Sequence, residues 1–169
     1  MKNIKVLNTP KNKLITPNDL GDKAREAISK AVNPIIADAF ALYIKTKNFH
    51  WHMSGKQYRD MHLLLDEQAN QILAMIDVLA ERIRKVGGTT IKSIKHIQQL
   101  QSIEDDNDEF VDAHQMIERL MNDNKKFTNH LREAHEVCQN HHDVATTSVL
   151  ENFIDEAEHR TWFLFEIIA

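Results

Sequence analysis

Five side chains in the 169-residue sequence have the types and spacing for metal chemistry: His50, His62, Asp66, Asp77 and Glu81. His62 and Asp66 stand four residues apart, as do Asp77 and Glu81, so on a helix each pair offers two donors from adjacent turns. These four fall within an arc of about 100° on one helical face. Imidazole with carboxylate suits iron, and open positions on such a site allow redox chemistry. Distance adds a constraint. Asp66 and Asp77 are eleven residues apart, about 16 Å along a helix, so one chain cannot bring both pairs to one ion. If all five serve one site, a second chain supplies half of it, most simply an antiparallel copy across a two-fold axis. A plainer reading stands beside this one. His and Asp at this spacing are common, and the run from Asp77 to Arg84 also reads as solvated surface charge.

Ten histidines beside a single Cys raise the question of metal or proton chemistry without deciding it. His50 and His52 are two residues apart and point to different sides of a helix, which makes His52 a surface or interface residue. His141 and His142 fall at a helix junction and read as a turn or cap, while His96, His114, His130 and His135 share no ligand spacing. Glu156-x-x-His159 has the form of a di-iron motif, but an intra-bundle site needs two copies and a Glu from each of two other helices. The motif occurs once and the first helix has no interior Glu after Glu26, so Glu156 and His159 are expected at the surface.

The elements that must position these residues are helices. Four Gly and three Pro argue against many short strands, and no convincing strand or internal repeat is visible. Residues 1–17 read as a flexible, extended tail and residues 18–169 as one domain. Thr16-Pro17-Asn18-Asp19 has the form of a helix start with Thr16 as N-cap. Apolar residues then keep a helical rhythm from about Asp22 to Met53, with Pro34 expected to kink or split the run at Asn33, and Ser54-Gly55 closing it. A second helix runs from about Gln57 to Val86 and stops at Gly87-Gly88. Residues 89–104 form a connector with a short helical piece. The acidic stretch Glu104 to Glu109 suits the N-terminus of a third helix that reaches about Gln139. Asp143 can cap a fourth. Four long helices with one long middle connection give an all-α, ferritin-like four-helix bundle with a short helix in the crossover between helices two and three.

The stretch KTKNFHWHMSGKQYRDMHLLLDEQANQILAMIDVLAERIRKVGGT, residues 45–89, resembles the Dps family, the mini-ferritins or DNA-binding proteins from starved cells. N-F-H-W, a Gly, H-x-x-x-D, D-x-x-x-E-R and Gly-Gly all stand at that family's spacing, and the terminal WFLFE extends the likeness over about residues 20–169. The resemblance implies a hollow dodecamer that oxidises iron(II), preferably with hydrogen peroxide, and stores iron(III) mineral. It implies a ferroxidase site between two-fold partners that holds two iron ions. His50, His62 and Asp66 would come from one chain and Asp77 and Glu81 from the other, with Trp51 beside the site.

A second function class is DNA compaction. The tail carries Lys2, Lys5, Lys11 and Lys13 and no acid, and displayed many times it would act by multivalency. Against this, Ile4, Val6, Leu7, Leu14 and Ile15 can pin the tail to the shell, and a net charge of −4 makes the body repel phosphate. A third class, a purely structural bundle, fits the resemblance poorly. The lone Cys138 excludes an intrachain disulfide, and no targeting signal is visible, so a cytoplasmic or nucleoid-associated protein is expected. The apolar cluster WFLFEIIA is too short to span a bilayer.

Overall fold

Unbroken helical periodicity produces an all-α molecule. The structure is a computed structural model and describes residues 14–169, which contain no strand. The tail lysines Lys2, Lys5, Lys11 and Lys13 lie outside the described residues. Five helices follow in order: α1 Gly21–His52, α2 Tyr58–Lys85, α3 Ile94–Leu100, α4 Ala113–Asn140 and α5 Val144–Ile168. The four long ones form the bundle. α3 sits in the crossover between α2 and α4 and packs on α1. Its core is built from the expected apolar stripes: Ile28, Val32, Leu65, Ile72, Leu79, Ile117, Phe127 and Leu164 are each at most 1% exposed. Each such side chain contributes about 1.5–3 kcal/mol.

α1 is long and apolar enough to cross a membrane by length and composition, but half of its most apolar window is buried inside the bundle. It is a core helix on one side. On the other it leaves Ile44 exposed. The helix is not split at Asn33. It runs through Pro34 because Val32, Ile35 and Ile36 are buried on the core side and hold the turn that lacks a backbone donor.

Two expected helix starts are corrected. Thr16 does not cap α1, whose N-cap is Leu20 with no side-chain cap bond. The Thr16 hydroxyl donates instead to the Arg84 carbonyl at 2.8 Å, and the Asn18 side chain takes the Leu20 N–H, which holds the chain in a turn before the helix begins. The acidic stretch does not start the third long helix either. α4 begins at Ala113 with Asp112 as N-cap, accepting from the Gln115 N–H at 3.0 Å, and Phe110 is 77% exposed outside it. The stretch is occupied in fastening the connector. Arg119 Nη1 donates to Asp106 at 2.7 Å and to Asp108 at 2.8 Å. Asp143 does cap α5, accepting from the Thr146 N–H at 3.0 Å.

The connector is also clamped from inside. The Asp38 carboxylate, 1% exposed, accepts from the backbone N–H of Ser102 and Ile103 and from His130 Nδ1 at 3.0 Å. His130 therefore has a structural partner. Burial pushes the Cys138 thiol up to about 12, so it stays protonated and unreactive.

At the end of α2 the backbone needs glycine. Gly87 has φ +87°, and a Cβ there would stand 2.9 Å from the Thr16 carbonyl oxygen. Gly87→Ala is expected to cost about 1–3 kcal/mol, read as a lower urea midpoint with an unchanged slope.

Candidate functional site

The site is built where α1 and α2 pack antiparallel around the turn at Ser54-Gly55. His50, near the end of α1, and His62, near the start of α2, stack with ring centroids 3.7 Å apart and planes 21° off parallel. Their hydrogen bonds are reciprocal. His50 Nδ1 donates to the His62 carbonyl and His62 Nδ1 to the His50 carbonyl, each at 2.8 Å. A carbonyl can only accept, so each Nδ1 carries the proton and each Nε2 keeps its lone pair. That is the tautomer a metal ligand needs, with ring orientation fixed by the bond behind it.

Asp66 lies one turn beyond His62, with a carboxylate oxygen 3.9 Å from His50 Nε2. The same oxygen accepts from Lys47 Nζ at 2.7 Å. This bond, together with the Lys47 charge and against a smaller opposing effect of desolvation, holds the Asp66 carboxyl below its ordinary value. Lys47 also packs its ammonium over the Trp51 ring, 5.8 Å from the centroid. Sequence reading missed Lys47, although its position one turn before His50 placed it on the same helical face.

Asp77 and Glu81 are not brought to this cluster within the chain. Both are exposed on the outward face of α2, and Glu81 accepts from Lys85 at 3.0 Å. Among the described residues of one chain, no group of three or more His, Cys, Asp or Glu side chains is arranged to hold a metal ion. Between the two pairs the face carries exposed Leu73, 42% accessible, beside exposed Asn70. His52 is exposed and bonded to Asn48, and His159 is exposed with its ring 4.3 Å from Phe163. Glu156 is half-buried rather than at the open surface, and its charge acts on Arg160. Arg160 is wholly buried in the bundle and donates through Nε to Asn124 at 2.9 Å. A buried guanidinium in the bundle centre leaves no room there for the charge of an intrachain metal site.

The donor set fits iron(II). Two imidazole nitrogens with free lone pairs and one carboxylate form an incomplete ligand set on a face whose other carboxylates are solvent-exposed. That set leaves positions open for further ligands and for an oxidant. Lys47 marks the place by its charge, since a cation already occupies the Asp66 carboxylate.

Comparison with known proteins agrees with this reading of the fold. The model of the ferritin-like domain matches residues 29–169. A low temperature-induced protein of Nostoc is 29% identical over 150 residues, covering 88% of this chain and 84% of its own length. A protein of Bacillus anthracis named DNA protection during starvation protein 2 is 29% identical over 137 residues, covering 81% of this chain and 93% of its own. The solved structure of DpsC from Streptomyces coelicolor superposes with a TM-score of 0.88 at 25% identity, covering 92% of each chain. On the family match and these relatives, the chain belongs to the ferritin-like family and, within it, to the Dps proteins.

Proposed function

We propose that this protein oxidises iron(II) at sites shared between two copies of the chain. It then stores the iron(III) inside a hollow dodecamer in the cytoplasm and so protects DNA from oxidative damage. The observation that carries the reading is the reciprocal bond of His50 and His62, which leaves both Nε2 lone pairs free, that of His50 standing 3.9 Å from the Asp66 carboxylate. The positions of the acids support a two-chain site. The His62/Glu81 and Asp66/Asp77 pairs share one midpoint, between Gln71 and Ile72. Two α2 helices crossing antiparallel at that point set His62 against the partner's Glu81 and Asp66 against the partner's Asp77. Exposed Leu73 then lies beside the axis as the apolar contact.

Iron(II) is the substrate and hydrogen peroxide the preferred oxidant. Each of two iron(II) ions gives up one electron, the O–O bond breaks, and both oxygens leave as hydroxide or, with protons, water. Because two electrons arrive together, no hydroxyl radical is released. Carboxylates from both chains favour the harder iron(III) product. The test is anaerobic iron(II) titration followed by peroxide. Saturable binding of two ions per chain, and one peroxide consumed for two iron(II), is the expected result. Binding without saturation, or free radical in proportion to iron, would contradict it.

Lys47 must release Asp66 before iron can use it. The pair is partly exposed, with side chains 15% and 44% accessible, so solvent screens it and the hold on Asp66 is weak. Lys47→Gln is therefore expected to tighten anaerobic iron(II) binding, by a few-fold at most given the exposure of the pair, read as a lower dissociation constant.

A second reading, DNA compaction, rests on the four tail lysines and on the names of relatives such as the Bacillus anthracis protein. Deleting residues 1–13 is expected to weaken any DNA retardation and leave iron oxidation intact. Added salt should weaken retardation in the same way.

A further inference from the structure

Arg82 belongs to a run whose charges read as solvated, yet its side chain is 16% exposed and turned inward. It lies about 100° around α2 from Glu81, so the two neighbours face different ways, Glu81 toward solvent and Arg82 toward the bundle. α2 packs closely along α1 but approaches α5 only over a short stretch. Arg82 spans that gap. Its Nη2 donates to Asp143 Oδ1 and to Thr146 Oγ1, each at 3.0 Å, and its Nε donates to the same hydroxyl at 3.1 Å. The receiving groups are themselves fixed. Asp143 is 4% exposed and caps α5, Thr146 is fully buried, and the Thr146 hydroxyl donates to the other Asp143 oxygen.

We infer that Arg82 is a positioning residue for the acidic half of the shared iron site, holding the turns of α2 that carry Asp77 and Glu81 at a fixed rotation against α5. The inference rests on the proposed two-chain site. The histidine half has its own anchor in the His50–His62 exchange. Among the described residues the acidic half has no equivalent on the exposed face, where Glu81 accepts from Lys85, itself exposed. A rolling α2 would carry both carboxylates away from the partner's donors, and metal sites tolerate displacements of only about 0.5 Å. The three-bond fork supplies the resistance to rolling. A single ion pair would not, since it fixes a distance and leaves rotation free.

The test uses Arg82→Lys in the full chain. This variant keeps the charge opposite Asp143 and loses the fork. Anaerobic iron(II) titration is run on the unaltered protein, on Arg82→Lys, on Asp77→Ala/Glu81→Ala, and on the triple variant. Arg82→Lys should weaken iron(II) binding about tenfold when the two acids are present. In the chain lacking both acids it should change nothing, because the group it positions is gone. Equal weakening in both backgrounds would show a general loosening and overturn the inference, as would no weakening in either. If Asp77→Ala/Glu81→Ala binds iron(II) like the unaltered protein, the shared site itself fails, and that result is distinct from the first two. Should Arg82→Lys not assemble, Thr146→Val removes the hydroxyl of the fork while leaving the ion pair. The same titrations and the same outcomes then apply.

Discussion

Asp77→Ala/Glu81→Ala is expected to slow peroxide-dependent iron(II) oxidation by about a hundredfold while leaving stability almost unchanged. Loss of second-shell groups alone costs about 10–100-fold in metal affinity or activity, and these are proposed ligands. Both side chains are exposed, and exposed substitutions away from packed features shift stability by about 0.5 kcal/mol or less. Stopped-flow oxidation together with a urea midpoint checks both halves of the statement. The histidine side behaves differently. His50 is 8% exposed and ties α1 to α2 through the His62 carbonyl, so His50→Ala/His62→Ala should lose a similar factor in rate and also about 2 kcal/mol of stability. Asp66→Asn is the cleaner variant on that side, since its hydrogen bond from Lys47 can persist while the anionic ligand is gone. His159→Ala should leave the rate unchanged, because its ring packs on Phe163 of α5 and its Glu156-x-x-His159 motif has no second copy to complete a site.

Leu73→Glu is expected to slow oxidation at least about tenfold without touching a proposed ligand. Leu73 is within about 20° of His62 around α2 and midway along the face between the two ligand pairs. In the antiparallel crossing the two copies of Leu73 meet near the axis. A carboxylate there would face its own copy in an apolar contact, which disfavours association by both desolvation and like charge. Light scattering should show loss of the two-fold contact, circular dichroism an unchanged helix content, and the oxidation rate a drop of at least about tenfold. Retained rate in a dissociated chain would mean that one chain holds the whole site.

Much of the bundle is legible in the sequence because its signals are local. Ile28, Val32, Leu65, Ile72 and Leu79 recur at the helical period, and Gly87-Gly88 stops α2 where the backbone turns left-handed. What sequence reading missed depends on long-range partners. Thr16 looks like a cap, but its hydroxyl is drawn to Arg84, sixty-eight residues away. The acids at 104–109 look like a helix start, but Arg119 takes two of them. The proposed ligand positions stand out in the sequence through helical phase, which lines up His62, Asp66, Asp77 and Glu81 on one face. The partners of the residues beside them do not. Lys47 and Arg82 carry ordinary surface charges in sequence, and only the packing of α1 and α5 on α2 shows that one occupies Asp66 and the other grips Asp143.

The central claim is that half of each site comes from a second chain, and mixing chains tests it most directly. Subunits carrying His50→Ala/His62→Ala and subunits carrying Asp77→Ala/Glu81→Ala are each prepared, dissociated together and reassembled, with mixing verified by mass. In a mixed pair one site has lost donors from both chains and the other keeps every proposed ligand. Peroxide-dependent oxidation should therefore return, from two nearly inactive parents, to about a quarter of the unaltered rate under random pairing. No recovery despite verified mixing, or full activity in either parent alone, would contradict the account.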